Sequence, residues 1–308
     1  MIERILRTKL LVACLFLVSC SHYAVGGPPK FDTAKIEQIT GWKGSFNEQE
    51  EVFKISSPRT DVKVSVDAWQ MAPFMGLTPW AAFLGDGKDK LMVMGDLVLF
   101  QDEVNPVMSA ALENGLDVTA LHNHFFFDDP KVYFMHIGGA GSLEALATGV
   151  RKATDKVKEI RALNPTPAKS FGGALIPPKS SVTAKPLDDI FGIKGQTKDG
   201  MFKAVFGRKV KMACGCELGK DMGVNTWAAF AGADDNAVVD GDFAIIEEEL
   251  QPVLKSLRRA NINIVAIHHH MALEKPRVLF LHYWGKGKAE ELAKSLKAAL
   301  DLLEPTEP

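Results

Sequence analysis

Several short segments of the chain alternate between apolar and polar residues. Residues 62–66 show this period of two, with valine at every second position. Such alternation predicts a strand with one buried face. Short, mainly apolar runs predict further strands. These runs cover residues 52–56, 80–84, 91–100, 118–122 and 132–136.

Other segments repeat apolar residues every three to four positions, which is typical of helices that bury one face. Residues 104–114 carry such a stripe, with Pro106 in the predicted first turn and Gly115 after the last residue. Further helices are predicted over 36–40 and 142–163. Strands come first, followed by β-α-β-β-α. This order predicts an α+β fold with helices on one face of a mainly antiparallel sheet, and it is compatible with a ferredoxin-like core.

The same order of motifs occurs twice. The tetrapeptide Trp-Ala-Ala-Phe at 80–83 returns at 227–230, and Gly95-Asp96 returns as Gly241-Asp242. The offset is 146 residues at Gly95 (241 − 95) and remains 146 as far as His136 (282 − 136). Since solenoid units span only about 20–50 residues, a repeat of this length indicates two tandem homologous domains.

The predicted organisation has five parts. A segment with several prolines and two adjacent glycines separates the repeats and is the natural boundary between them. The parts are a signal peptide over 1–20, a tether over 21–32, the first repeat over 33–163, the linker over 164–183 and the second repeat over 184–308.

The N-terminus predicts export. Basic residues precede a short apolar run over 10–18, as in a secretory signal. Residues 17–20 resemble a bacterial lipobox, in which Cys20 is lipidated; an ordinary secretory signal cut near Ala24 is the alternative. A lipid on Cys20 would make the membrane a partner through an anchor rather than a span. The expected location is the cell envelope, on the periplasmic face of the outer membrane in a Gram-negative host because Ser21 follows the cysteine.

Charge and cysteine content exclude some classes of protein. The formal net charge is −2 at pH 7, which gives no basic surface for a nucleic acid, so no nucleic-acid partner is expected. Apart from Cys20, only Cys214 and Cys216 follow the signal peptide, so a disulfide framework is not expected. In an oxidising envelope these two cysteines can form a strained bridge, bind a soft metal or pack as small apolar residues.

Six of the eight histidines belong to two copies of one pattern, a His-x-His at a strand end and a third histidine in the next strand. Residues alternate sides along a strand, so the two histidines of each His-x-His share a face. The third joins them only if the pairing register places it opposite Ala120, or opposite Ala266 in the second copy. A small residue at both positions favours that register. The histidines are His122, His124 and His136, and His268, His270 and His282.

Three neutral imidazoles on one face can bind Zn²⁺, or Cu²⁺ or Ni²⁺, and an open coordination position could activate water. Acidic residues that could orient a ligand or act as a base recur in both copies. The alternative is that the histidines are hydrogen-bonded core residues, so whether the protein is an enzyme stays open. The acidic candidates are Asp96, Glu103, Asp242 and Glu249.

Glycines follow the third histidine in each copy and precede a predicted helix. Gly139 and Gly141 are matched by Gly285 and Gly287 in the second copy. A glycine turn at a helix N-terminus can present backbone N–H groups to a small anionic ligand. The alternative is that the glycines serve only a tight turn between strand and helix.

Together, these motifs resemble the LppY/LpqO family of bacterial envelope lipoproteins, a domain of unknown function. The resemblance is carried by Gly95-Asp96, Glu103 with Pro106, and residues 120–124 and 130–136 with the glycines after them. The second copy matches again, with His269 in place of an asparagine. The resemblance implies an exported lipoprotein of two tandem copies and implies no reaction.

Three functions remain as hypotheses. The first is a lipid-anchored envelope protein that binds a divalent metal or small ligand through the histidine strands. The second is a metal-dependent hydrolase of envelope material, which requires an open coordination position. The third is a structural or partner-binding lipoprotein whose histidines are core residues.

Overall fold

The computed structural model describes residues 30–85 and 90–304. The predicted signal peptide, Cys20 and all but the last three residues of the predicted tether lie outside the described residues. Within the described ranges, no helix is both long and apolar enough to cross a membrane.

The first repeat runs from a short helix to a long one. Its elements in chain order are α1 (Thr33–Thr40), β1 (Lys43–Asn47), β2 (Val52–Ser56), β3 (Ser65–Val66), β4 (Trp69–Gln70), a 3₁₀ turn (Pro73–Met75), β5 (Trp80–Gly85), β6 (Leu91–Phe100), α2 (Gln101–Glu113), β7 (Asp117–His122), β8 (Asp128–Asp129), β9 (Val132–Gly141) and α3 (Leu143–Leu163).

The second repeat has the same plan. Its elements are α4 (Ala184–Phe191), β10 (Gln196–Lys198), β11 (Met201–Gly207), β12 (Val210–Lys211), β13 (Glu217–Leu218), a 3₁₀ turn (Lys220–Met222), β14 (Asn225–Ala233), β15 (Asn236–Ile246), α5 (Glu247–Arg259), β16 (Asn263–His268), β17 (Val278–Gly287) and α6 (Ala289–Leu300).

Twelve strands of the described chain form one sheet, in the order β1-β2-β5-β6-β9-β7-β16-β17-β15-β14-β11-β10. Each pair of neighbours in it is antiparallel. The six helices of the described residues all contribute buried side chains to one apolar core that also takes in strands of both repeats. The predicted α+β class, with helices on one face of an antiparallel sheet, is confirmed. In the first repeat β9 lies between β6 and β7, and in the second β17 lies between β15 and β16. Each repeat therefore contains a split β-α-β unit.

The two repeats join at the centre of the sheet. Strand β7 pairs with β16 at Leu121 and Ile267, which are equivalent positions (267 − 121 = 146). The join therefore lies on an approximate two-fold axis. Both residues are almost fully buried, Leu121 at 0% and Ile267 at 3% exposure. The core is consequently continuous across the boundary between the repeats.

Beyond the pairing of β7 with β16, two side-chain amides form further hydrogen bonds between the repeats. Asn105 of α2 accepts from the N–H of Ile264 at 2.7 Å and donates to its carbonyl at 3.1 Å. Gln251 of α5 does the same with Val118, at 3.0 and 2.8 Å. The amides are equivalent by the same offset (251 − 105 = 146). Each repeat thus satisfies backbone groups that the partner strand leaves open.

Helix α2 begins earlier than predicted, at Gln101 rather than at 104. The Glu103 carboxylate accepts a hydrogen bond from the Phe100 N–H at 2.8 Å and fixes the start of the helix there. Pro106 is therefore the sixth residue of the helix and not in its first turn. It removes one intrahelical donor and lies on the exposed side, where this loss is tolerated.

The predicted strand over 62–66 shortens to Ser65–Val66 and lies outside the main sheet. It forms a separate three-stranded sheet with β4 and β8. Its valines pack with Phe100 and Phe134 in a small apolar cluster rather than against the main core. The predicted buried face is confirmed, but it packs in this small cluster and not on the main sheet.

Candidate metal centre

The histidines lie on the sheet face opposite the helices. In the first repeat Ala120 pairs with His136 and His122 with Phe134, and in the second Ala266 pairs with His282. The register that places the third histidine opposite Ala120, and opposite Ala266 in the second repeat, is therefore confirmed. Because paired residues project to the same side, the third histidine of each repeat joins the other two.

In the first repeat two imidazoles meet directly. The Nε2 atoms of His122 and His136 lie 3.0 Å apart, so one ring donates its N–H to the other. The ring of His124 stacks on Phe134 with centroids 3.4 Å apart. The side chain of Asn123 points away and donates to the Val132 carbonyl at 2.8 Å, which fixes the strand end. All three rings therefore gather above β7 and β9.

In the second repeat His268, His270 and His282 form a set that can hold a metal ion. One ring nitrogen from each lies within 4.8 Å of the others. His270 stacks on Phe280 at 3.4 Å, as His124 does on Phe134. A zinc ion with Zn–N bonds of about 2.0–2.1 Å would place the nitrogens about 3.3–3.4 Å apart, which small ring rotations can reach.

An aspartate adjoins each set. Asp96 of β6 pairs with His136, and Asp242 of β15 pairs with His282. The Asp242 Oδ2 atom is 3.9 Å from His270 Nε2 and 4.0 Å from His282 Nε2. Within the described chain, the Oδ1 atoms of both aspartates are buried and lack a hydrogen-bond partner. A buried carboxylate oxygen without a partner is costly unless a cation or a donor offsets it.

Burial shapes the ionisation of both centres. It raises the pKa of Asp242 to about 6, against the opposing effect of His282. Burial also raises the pKa of Asp96, opposed chiefly by His136. The pKa values of His268 and His270 are lowered by burial and by neighbouring histidines. These two imidazoles are therefore neutral at pH 7, the form that binds metals.

The glycine before each aspartate is required by close packing. A Cβ at Gly241 would lie 2.1 Å from the Tyr283 hydroxyl oxygen and 2.3 Å from the Trp227 carbonyl oxygen. At Gly95 it would lie 2.7 Å from the Trp80 carbonyl oxygen. The repeated Gly-Asp motif thus combines a steric requirement with a site residue. The sequence marked the pair but did not indicate the reason.

Glu103 and Glu249, the other acidic candidates, are held in buried ion pairs. Glu103 bonds both terminal nitrogens of Arg59, at 2.5 and 2.9 Å. Glu249 bonds Arg208 in the same way, at 2.5 and 3.0 Å. Each carboxylate also accepts from a backbone N–H at the start of its helix. Their oxygens are therefore occupied structurally, unlike those of the two aspartates.

The glycines after the third histidine lie within strands rather than in a turn. Strand β9 runs to Gly141 and pairs with β6 along its whole length. A Cβ at Gly139 would lie 3.3 Å from Leu146, and one at Gly285 would lie 3.0 Å from Leu292. Gly141 and Gly287 face the same two leucines. These glycines allow α3 and α6 to pack closely on the sheet, which explains their spacing without an anion.

The cysteines form no part of the histidine centres. Cys214 and Cys216 are free thiols, both exposed, in the turn between β12 and β13. The pKa of Cys214 is lowered by a hydrogen bond from Cys216. The two thiols, separated by Gly215 alone, thus interact.

The architecture is that of a duplicated α+β protein with one histidine centre in each copy. A family model described as Domain of Unknown Function (DUF1259) matches residues 34–156 and again 185–302. The chain therefore belongs to this family and contains two tandem copies of its domain. No curated protein was found to match the chain.

Two solved structures show some similarity to the chain. One is the double ringed trimeric shell protein MSM0271 from the RMM microcompartment, at 10% identity and a TM-score of 0.18, covering 69% of this chain and 81% of that one. The other is the trimeric bacterial microcompartment shell protein PduB, at 10% identity and a TM-score of 0.19, covering 84% of this chain and 89% of that one.

Proposed function

We propose that this protein binds a divalent transition metal at each of its two histidine centres. The observation that carries the proposal is the cluster of His268, His270 and His282, whose ring nitrogens lie within 4.8 Å of one another. Asp242 lies beside it, with Oδ2 at 3.9 Å from His270 and 4.0 Å from His282, and its buried Oδ1 atom has no hydrogen-bond partner among the described residues. A metal cation offsets both the buried charge and the missing bonds. Asp96 beside His122 and His136 repeats the arrangement in the first copy.

Zinc is the proposed metal, with Cu²⁺ and Ni²⁺ as the other candidates. Three imidazoles and one carboxylate are a common zinc ligand set and suit tetrahedral geometry. The Asp242 Oδ2 atom lies only about 0.6 Å beyond the ligand–ligand spacing of about 3.3–3.4 Å that such a site requires. Asp242 is thus placed to be a fourth protein ligand.

That placement favours binding over hydrolysis. A catalytic zinc keeps one position open for water or substrate, whereas four protein ligands close the site. The proposed role is therefore storage, transfer or structural use of the metal. The metal-dependent hydrolase remains the second candidate only if the aspartate stays outside the coordination sphere and acts as a base.

We further propose that the protein is exported and that it belongs to a named family of lipoproteins. We assign the chain to the LppY/LpqO lipoproteins and place it in the cell envelope, anchored by lipid on Cys20. The support is the lipobox-like segment over 17–20 and the basic, apolar stretch before it. Mass spectrometry of the N-terminal peptide tests this assignment. A diacylglycerol-sized mass on Cys20 supports it, and an unmodified N-terminus near Ala24 refutes it.

The metal proposal is tested by elemental analysis of the protein expressed without its signal peptide. Wild type should carry two zinc ions per chain. Replacing His122, His124 and His136 by alanine should leave one, and replacing all six histidines should leave none. His269→Ala is the matched control, because its Nδ1 bonds the Val278 carbonyl at 3.2 Å and it lies outside the triad. Unchanged zinc content in the sixfold variant would refute the proposal.

A further inference from the structure

The turn between β12 and β13 carries Cys214 and Cys216, which the histidine centres do not use. Both residues are free thiols and both are exposed, so they do not pack as small apolar residues in the core. The chain after the predicted signal peptide contains no other cysteine. A thiol buried in the core is inert, whereas an exposed pair is open to reaction.

The backbone of the turn holds the two thiols together. The Met212 N–H donates to the Cys216 carbonyl at 2.8 Å, and the Gly215 N–H donates to the Met212 carbonyl at 2.8 Å. Gly215 has a φ of 82°, as in a three-residue hairpin loop that ends in a left-handed glycine. A Cβ at Gly215 would meet no atom within 4 Å beyond its chain neighbours. The turn is therefore tight, and its glycine side is open.

Cys214 is the better nucleophile of the two. The Cys216 thiol donates a hydrogen bond to the Cys214 Sγ atom, and the Cys216 backbone N–H also donates to it, at 3.4 Å. Both bonds lower the pKa of Cys214, while the contact with Cys214 raises the pKa of Cys216. In such a pair one sulfur attacks as a thiolate and the other acts in the next step.

A disulfide between the two cysteines is within reach. Residues two positions apart have Cα atoms at most about 7 Å apart in an extended chain, and the turn brings them closer. Disulfides span Cα separations of about 4.4–6.8 Å. Because only Gly215 lies between the cysteines, the closed ring is small and strained. A strained, exposed disulfide is readily reduced again.

A metal site with several ligands is not favoured at this turn. Among the described residues, the one set of three or more histidine, cysteine or acidic side chains placed to share an ion is His268, His270 and His282. The two thiols would therefore have to hold a metal without a third side chain of these types. Exchange with a disulfide requires only the two thiols.

We propose that Cys214 and Cys216 are a thiol–disulfide exchange pair that reduces accessible disulfides of small molecules or proteins. The Cys214 thiolate attacks one sulfur of the substrate, forms a mixed disulfide and releases the other sulfur as a thiolate. The Cys216 thiolate then attacks the Cys214 Sγ atom and releases the second substrate sulfur. The pair loses two electrons and closes to a disulfide, while the substrate gains those electrons and the protons of both thiols. Excess reduced glutathione runs the steps backwards and restores the pair.

The first test uses oxidised glutathione and protein expressed from Ser21 onward, with the products identified by mass spectrometry after alkylation. Wild type should end with the internal disulfide and no attached glutathione. Cys216→Ser should stop at a mixed disulfide on Cys214 and react about threefold faster than Cys214→Ser, because Cys214 has the larger thiolate fraction. Excess reduced glutathione should reopen the wild-type disulfide, which a structural disulfide would resist.

The second test measures the reduction of insulin by dithiothreitol and shows whether protein disulfides are substrates. Acceleration by wild type but not by Cys214→Ser places proteins among the substrates, and reaction with oxidised glutathione alone restricts the substrates to small molecules.

The matched control carries Cys214→Ser, Cys216→Ser and Ser45→Cys, and so has a single thiol at an exposed position of β1. It gives the reaction rate of an ordinary exposed cysteine. Circular dichroism confirms folding of each variant. The proposal is overturned if wild type keeps glutathione attached, if excess reduced glutathione leaves the internal disulfide closed, or if Cys216→Ser reacts no faster than this control.

Discussion

The Nε2 atoms of His122 and His136 lie 3.0 Å apart across neighbouring strands. Such a pair shares one proton and holds both rings in place without a metal. A cation that binds both nitrogens must displace that proton, so metal binding releases protons and weakens as the pH falls. The two rings are therefore already close to the positions that a metal would require.

Zinc should stabilise the protein against unfolding. A ligand that binds only the folded state adds about 2.7 kcal/mol per site at a concentration one hundred times its dissociation constant. We expect the melting temperature to rise by several degrees with zinc and to return to the metal-free value with a chelator. Differential scanning calorimetry measures both. The alanine variant of all six histidines should not respond, and a zinc-dependent rise in that variant would contradict the assignment.

Asp242→Asn should stabilise the metal-free protein while weakening zinc binding. The folded-state pKa of Asp242 is about 6, above its unfolded value of about 3.9. Folding therefore favours the protonated carboxyl, which adds to the free energy of unfolding at low pH. The wild type loses this contribution as the pH rises from about 4 to 6. The variant resembles the protonated form and escapes the loss. It should gain about 1–3 kcal/mol at pH 7 and nothing below about pH 4.

Urea unfolding at pH 3.5 and 7 measures that gain, and calorimetric titration measures zinc affinity. Asp235→Asn, at an exposed turn, is the control and should change neither quantity. A destabilised Asp242→Asn protein at pH 7 would contradict burial as the cause of the raised pKa. Unchanged zinc affinity would remove Asp242 from the proposed ligands.

Local pattern favoured a shared histidine face and left the pairing register to be determined. Ala120 and Ala266 leave room for the imidazole of the paired strand, and this favoured the register that the structure shows. The duplication identified Asp96 and Asp242 as equivalent acidic residues. Such inferences succeed because strand pairing follows from side-chain alternation and size.

Contacts between distant segments were not predictable in the same way. The sequence predicts Glu103 as a possible base, but Arg59, from a loop 44 positions away, occupies its carboxylate. The union of the repeats through Leu121 and Ile267 also left no sign in the sequence, since both residues look like ordinary core positions. Both contacts join segments that are far apart in the chain. The periodicity of one segment does not indicate which distant segment it will contact.

Glu103→Gln should destabilise the fold without altering the metal centres. The substitution removes one of the two carboxylates paired with the buried Arg59 guanidinium and leaves Asp61 as the other. Since the loss of every partner of a buried charge costs about 3–5 kcal/mol, we expect a loss of about 1–3 kcal/mol. Zinc affinity per site should remain that of wild type. Denaturant unfolding and zinc titration measure the two effects. Glu113→Gln, on the exposed side of the same helix, is the control. If the folded Glu103→Gln variant lost zinc binding, Glu103 would have to be counted among the residues of the metal centre.

Asn105→Ala should weaken the join between the repeats. Its amide is the hydrogen-bond partner of both backbone groups of Ile264, and the side chain is 6% exposed. Removal leaves a buried N–H and a buried carbonyl without partners, at about 1–3 kcal/mol each. We expect a total loss of about 2–4 kcal/mol in the free energy of unfolding, measured with urea on metal-free protein. Gln251→Ala should show a similar loss at Val118.

Asn114→Ala separates this effect from the loss of any side-chain amide. Asn114 is half-buried at the end of the same helix and donates only to the Ala110 carbonyl, four residues before it. Its removal leaves solvent within reach of that carbonyl and should cost less than about 1 kcal/mol. If Asn105→Ala and Asn114→Ala lost equal stability, the amide of Asn105 would contribute no more than a local bond. A clear excess for Asn105 and for Gln251 shows that the paired amides hold the two repeats in one sheet.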